Sequence, residues 1–275
     1  MKRLPRPRAN YRRDLRSVLT AVEQQFHATL FDAACRQAHL YTQRSPERLR
    51  HMQTVIASAS VRSFWVDLYT SRRNAVRLIK DGLHDALDDI TGAFCQYCGL
   101  SEPSTLDHYL EKSKLSELSL FTRNLIPCCP YCNVHRGPAF ASDGDRRILH
   151  FYDDDVDAIP DVLVASVTIS ASHDVPVAMY SVATPTSAAT AALVEVYRRH
   201  FAALHLDRRY KKAAAAHLRE LRQLQQTRPS SRSSLVNMFA DKAVSRLRSY
   251  GTNDHLAALY RGITASRDAL DWLLE

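Results

Sequence analysis

A mainly α-helical chain with a small α+β insert and one short β-hairpin is the fold class this sequence predicts, on three observations. Glycine is scarce, with 7 in 275 residues, and turn-dense all-β architectures lean on glycine for left-handed backbone. Apolar residues recur at helical spacing on both sides of the centre. Five of the 6 cysteines fall between positions 95 and 132, which marks a compact insert. Hydrophobic residues at 45% and charged residues at 24% exclude a disordered or fibrous chain.

The elements follow in order. Leu15, Val18, Leu19, Val22, Phe26 and Leu30 trace one face of a first helix expected from Asn10 to about Tyr41. Ser45-Pro46 reads as an N-cap with proline at the first helical position, and Leu49, Met52, Val55 and Ile56 supply a second, shorter stripe. Trp65, Leu68, Val76, Ile79 and Leu83 suggest a third helix ending near Leu87. From Val162 to Ile169 and from Val175 to Val182 the texture turns β-branched, as in a hairpin or two edge strands. Helical patterning returns from Ser187 to Glu275, interrupted at Thr227 to Ser234 and at Gly251. The regions expected are therefore 1–89, helical; 90–142, the cysteine-rich core; 143–186, an acidic loop with the hairpin; and 187–275, helical.

No apolar run of signal-peptide length follows the basic start, and no stretch of about 18 apolar residues suits a membrane. A cytoplasmic, membrane-free setting is expected, and in a reducing compartment clustered cysteines bind metal more often than they form disulfides. Cys95-Gln96-Tyr97-Cys98-Gly99 and Cys129-Pro130-Tyr131-Cys132 are two Cys-x-x-Cys knuckles. Each places two thiolates on a tight turn, and tetrahedral zinc takes four at about 2.3 Å. Cys128 stands beside Cys129 and leaves the register of the second pair open, although it lacks the two-residue spacing to Cys132. Cys35 reads as a plain buried small side chain.

Between and after the knuckles lie Leu106-Asp107-His108-Tyr109-Leu110-Glu111-Lys112-Ser113, then Arg123-Asn124-Leu125-Ile126-Pro127, then Asn133-Val134-His135-Arg136-Gly137. At these residues the sequence resembles the HNH family of His-Me finger endonucleases, in the form where two zinc knuckles bracket a ββα-metal core. The resemblance runs from about Ala93 to Pro138. It implies that Asp107-His108 lies on the first strand, that Asn124-Leu125 precedes the second knuckle, and that Cys132-Asn133 opens the helix. Glu111 stands where the family often has proline.

Phosphodiester hydrolysis needs a base for water and a cation for the charge that grows on the phosphate. His108, expected as an accessible imidazole on its strand, fits the base because it titrates near neutrality. The resemblance assigns Asp107 and Asn133 to a catalytic Mg²⁺ or Mn²⁺, and oxygen donors suit such ions. It further implies that Asn124 props the loop carrying His108, since a side-chain amide can bond on both sides. Lys112 and Arg136 are candidate phosphate contacts; His135 reads as a surface residue.

The net charge of +8 points toward a polyanion. Lys2, Arg3, Arg6, Arg8, Arg12, Arg13 and Arg16 crowd the start, and Arg208, Arg209, Lys211 and Lys212 stand in a second basic run. Both runs could neutralise backbone phosphates without reading bases. The acidic stretch Asp143 to Asp161, with Asp153-Asp154-Asp155, is expected to be a solvated loop. The expected function is a zinc-stapled, divalent-metal-dependent nuclease acting on nucleic acid, DNA ahead of RNA; the alternative is an inactive zinc module that binds nucleic acid or a protein. Ile148-Leu149-His150-Phe151-Tyr152-Asp153 and His200-Phe201-x-x-Leu204-x-Leu206 also resemble HNH proteins of bacterial defence loci, including the nuclease partner of the ATPase in Septu-type systems. That implies a partner protein.

Overall fold

The computed structural model describes every residue except 8–9, 88–91, 173–174 and 186, and the side chain of Phe26. Arg8, the expected boundary at residues 89–90, the far end of the hairpin turn and residue 186 lie outside the described residues. The chain forms two compact units, Arg3–Tyr97 with Ser101–Asp154, and Met1–Lys2 with Cys98–Leu100 and Asp155–Glu275. Helices dominate both, and each holds one small antiparallel two-stranded sheet, the fold class expected. No helix among the described residues is long and apolar enough to cross a membrane.

The N-terminal unit starts with α1 (Tyr11–Val18), α2 (Ala21–Phe26) and α3 (Ala28–Gln43), where one continuous helix was expected. The break has a local cause. Thr20 and Glu23 form a capping box that starts a new helix, and Leu19 before it is extended. Glu23 also takes both guanidinium arms of Arg73 at 2.7 and 2.6 Å, and Val22, expected inside, is 76% exposed. Ser45 makes no side-chain cap, and Pro46–His51 is only a 3-10 turn, so the second expected helix is absent from that position. The segment behind it is held extended by the fully buried Glu117, whose carboxylate accepts from Thr54 Oγ1 and Val55 N, each at 2.9 Å. The third expected helix is two, α4 (Ala59–Thr70), capped by Ser58, and α5 (Asn74–Asp85). They part at Ser71 to Arg73, where Arg73 turns to Glu23 and to the carbonyl of Val18.

β1 (Thr105–His108) pairs antiparallel with β2 (Leu125–Cys128), setting His108 opposite Leu125 and Asp107 opposite Ile126. The short α6 (Pro130–His135) follows, with Pro130 in its first turn. Leu83 of α5 packs with Leu106 and Leu125, and Tyr69 of α4 lies against that cluster. The α4–α5 pair therefore backs the two strands directly.

The acidic stretch is not the solvated loop expected. Asp154 is 5% exposed, accepts both oxygens' worth of contact from Arg146 Nη1 at 2.8 and 2.7 Å, and takes the amide of His150 at 2.7 Å. Asp153 pairs with Arg123 and with Arg6. Buried guanidinium groups need carboxylates, which draws these residues inward and leaves Asp143, Asp145, Asp155 and Asp157 exposed.

The second unit contains β3 (Leu163–Ile169), β4 (Pro176–Val182), α7 (Ala188–Ala203), α8 (Leu206–Thr227), α9 (Arg232–Tyr250), α10 (His255–Ala265) and α11 (Arg267–Leu274). The expected hairpin is present, with Leu163, Ala165 and Val167 buried and the residues between them exposed. Its inner face packs on α8 and α10. Gly262 makes this possible, because a Cβ there would lie 2.3 Å from the carbonyl oxygen of Ala165.

In the N-terminal unit, His150 links packing to pH. It is fully buried, with Nε2 2.8 Å from Tyr41 Oη, and burial lowers its pKa from 6.5 to about 4. A depressed histidine binds its proton more readily in the unfolded chain, so its contribution to stability is complete above about pH 6.5 and is lost as pH falls toward 4. Urea midpoints should therefore drop more steeply between these pH values for the wild type than for His150→Gln. Equal slopes would reject this role.

Candidate functional site

The sulfur atoms of Cys95, Cys98, Cys129 and Cys132 all lie within 4.8 Å of one another, and all four residues are buried. Gly99, at φ +65°, lets the chain turn back after the first knuckle, and Cys95 N donates to Ser101 O at 2.6 Å. Cys129 caps α6, accepting from Cys132 N at 3.5 Å. Zinc bonds of about 2.3 Å require sulfurs about 3.8 Å apart, so the cluster fits one tetrahedral ion with small closure. Cys128 is not in the cluster. It points along β2 to Thr105, with Sγ 3.6 Å from Oγ1, and burial pushes its thiol well up. Cys35, on α3, is half-buried.

β1 carries Asp107 and His108 side by side. His108 is 8% exposed, less accessible than its place on a short strand suggested, and burial lowers its pKa from 6.5 to about 3. Its Nε2 lies 2.9 Å from the carbonyl oxygen of Ser119. A carbonyl can only accept, so Nε2 holds the ring proton and Nδ1 keeps a free lone pair. Ser119 is itself fixed, donating Oγ to Trp65 O at 2.8 Å. Tyr69 meets the imidazole edge to face, with centroids 4.5 Å apart.

Asp107 is 4% exposed. Its Oδ2 accepts from Tyr97 Oη at 2.7 Å and pairs with the Arg136 guanidinium. Burial raises its pKa, and Arg136 pulls the other way. Arg136 is itself 3% exposed and also donates to the carbonyls of His108, Tyr109 and Gly137. It joins α6 to β1 and turns no free face to solvent.

Asn124 bonds Leu110 from both ends of its amide, accepting from N at 2.8 Å and donating to O at 3.0 Å. That clasp closes the segment leaving His108. Asn133, on α6, donates to Thr105 Oγ1 and Leu106 O at 3.3 and 3.4 Å, which brings its side chain alongside β1. His135 is exposed and stacks on Tyr131.

Lys112 is half-buried on the loop after β1. Arg208, Lys211 and Lys212 are exposed on α8 and Arg209 is half-exposed, because Leu206, Tyr210 and Ala214 take the inward face. They belong to the second unit. At the chain start, Arg3 and Arg6 reach the carbonyl of Tyr152, and Arg12 pairs with Asp32, so that basic run is partly engaged within the protein.

Ser119, Trp65 and Tyr69 around His108 were not legible from spacing. Ser119 acts through a carbonyl, which any residue carries, and the other two arrive from a helix some forty residues away in sequence.

The model of the HNH endonuclease family matches residues 95–138, while no curated protein and no solved structure matches the chain. The matched segment spans both knuckles, both strands and α6. Residues 95–138, about one sixth of the sequence, therefore carry an HNH endonuclease domain with four cysteines placed to bind zinc.

Proposed function

We propose that this protein is a metal-dependent endonuclease that hydrolyses DNA phosphodiester bonds, with residues 90–142 as nuclease core and 1–89, 143–186 and 187–275 as its flanking regions. The observation that carries the reading is the orientation of His108. Its Nε2 proton is committed to Ser119 O, which leaves Nδ1 to accept a proton from water as general base. A phosphodiester bound beside the ring would raise its low pKa toward the working range, since a nearby anion favours imidazolium.

Asp107 and Asn133 are the residues to hold a divalent ion. Oδ2 of Asp107 is engaged, while Oδ1 and the Asn133 side-chain oxygen have no hydrogen-bond partner among the described residues. A carboxylate and an amide oxygen fit Mg²⁺, which otherwise keeps its waters. When bound, such an ion neutralises charge developing on the phosphate and leaving oxygen. Arg136 holds the Asp107 carboxylate in place, and Asn124 holds the segment behind His108. Lys112, together with Arg208, Arg209, Lys211 and Lys212 on α8, would contact backbone phosphates. The resemblance of the segments around His150 and His200 to defence-locus nucleases supports an ATPase partner, which copurification would reveal.

Purified protein should nick plasmid and cut linear duplex with Mg²⁺ or Mn²⁺, and stop with EDTA. RNA should be cut more slowly. No cleavage of plasmid, duplex, single strand or RNA with either ion would reject the enzyme and leave an inactive zinc module.

A further inference from the structure

Two lysines share one aromatic ring beside His108, and one of them lies outside the matched domain. Lys80, on α5, places Nζ 3.8 Å from the ring centroid of Tyr69 and donates to Tyr69 O at 2.7 Å. Lys112 places its own Nζ 5.0 Å from the same centroid. The Tyr69 ring in turn stands edge to face against His108, and Tyr69 Oη reaches Leu106 O at 3.5 Å. All of these groups belong to one compact unit.

Neither lysine has a carboxylate within ion-pair reach among the described residues. The nearest acids in sequence are taken by other cations, Asp81 by Arg77 at 3.2 Å and Glu111 by Lys114 at 3.0 Å. Holding two like charges against one ring costs repulsion, and half-burial weakens the screening by water. Burial, and then the charge of Lys112, lower the Lys80 pKa. The ring face gives each ammonium some return, but only about 0.5 to 2 kcal/mol. An anion beside both would relieve the repulsion and use their free N–H donors. Lys80 also sits on a helix that packs on β1 and β2 through Leu83, so its position relative to His108 is set by the core.

We propose that Lys80 and Lys112, spaced by Tyr69, form a phosphate subsite that holds a backbone phosphate of the nucleic acid next to the one facing His108. The subsite rests on the nuclease reading and adds to it that α4 and α5 complete the site. Lys80 acts by binding and positioning the strand; it moves no proton.

The test measures binding of a fluorescein-labelled DNA duplex against salt in a His108→Ala background, where cleavage is slowed by at least about 10². Lys80→Gln should lower the slope of log K against log salt by about 0.9, the value for one lost duplex phosphate contact. Lys80→Arg should restore it, which a packing role would not require. In the cleaving protein, Lys80→Gln should raise KM. Lys112→Gln, on a loop, should reproduce the slope change and covers the case in which Lys80→Gln does not fold. Wild-type slopes in both variants, or no DNA binding at all, overturn the subsite. Reduced slopes in the two lysine variants, with a wild-type protein that never cleaves, leave the subsite standing and reject the nuclease reading instead.

Discussion

His108→Ala should lower the cleavage rate by about 10² to 10⁴, the usual contribution of a positioned proton-transfer group. The structure adds a requirement to that experiment. His108 is buried, its Nε2 donates to Ser119 O, and Tyr69 packs against its ring, so alanine also removes packing and a hydrogen bond. His108→Gln separates the effects. A glutamine amide can still donate to the Ser119 carbonyl and fill much of the space, yet it cannot take a proton at working pH. Both variants should lose activity, the glutamine variant with the smaller fall in melting temperature. Duplex binding should persist in both, because neither Lys80 nor Lys112 is altered. A folded His108→Gln protein that cleaves at the wild-type rate would falsify the assignment of the base.

Much of this site could be read in the sequence because its parts are local. A Cys-x-x-Cys pair needs only one turn, and Asp107-His108 are neighbours on one strand, so spacing and chemistry coincide there. Asn124 and Asn133 flank the same two strands, which the antiparallel register brings together over a short span. What could not be read is supplied from a distance. Tyr69 and Lys80 stand beside His108 because Leu83 packs on Leu106 and Leu125, and no local pattern reports that contact. Arg136 shows the same difficulty in reverse. A guanidinium next to a metal-type motif suggests phosphate, but burial of Asp107 calls for a partner charge, and α6 delivers Arg136 to it.

The helix boundaries follow a similar rule. Apolar spacing alone joined α1 to α3, whereas the capping box at Thr20 and the Glu23 pair with Arg73 divide them and divide α4 from α5 as well. In the C-terminal region the polar stretch near Thr227 and Gly251 do end helices, as their chemistry suggests. Gly251, at φ +90°, takes a conformation that few other residues accept.

Removal of zinc should have the largest effect of all, because the cluster ties two knuckle segments, 95–98 and 129–132, that lead into very short elements. β1 and β2 have four residues each and α6 has six, too short to be stable alone. Structural zinc supplies roughly 10 to 16 kcal/mol in small metal-folded units near neutral pH. Freshly purified protein should hold one zinc per chain, and a strong chelator should release it with faster amide exchange over residues 95–138. Cleavage should fall together with the exchange protection, since Asp107, His108 and Asn133 all ride on these segments. Zinc binding must displace thiol protons, so retention should weaken as pH falls. The cysteine variants sharpen the test. Cys129→Ser and Cys132→Ser should lose the metal, whereas Cys128→Ala should keep one equivalent, because Cys128 faces Thr105 and lies outside the four-sulfur cluster. Zinc-free native protein, or loss of zinc on replacing Cys128 alone, would reject this ligand set.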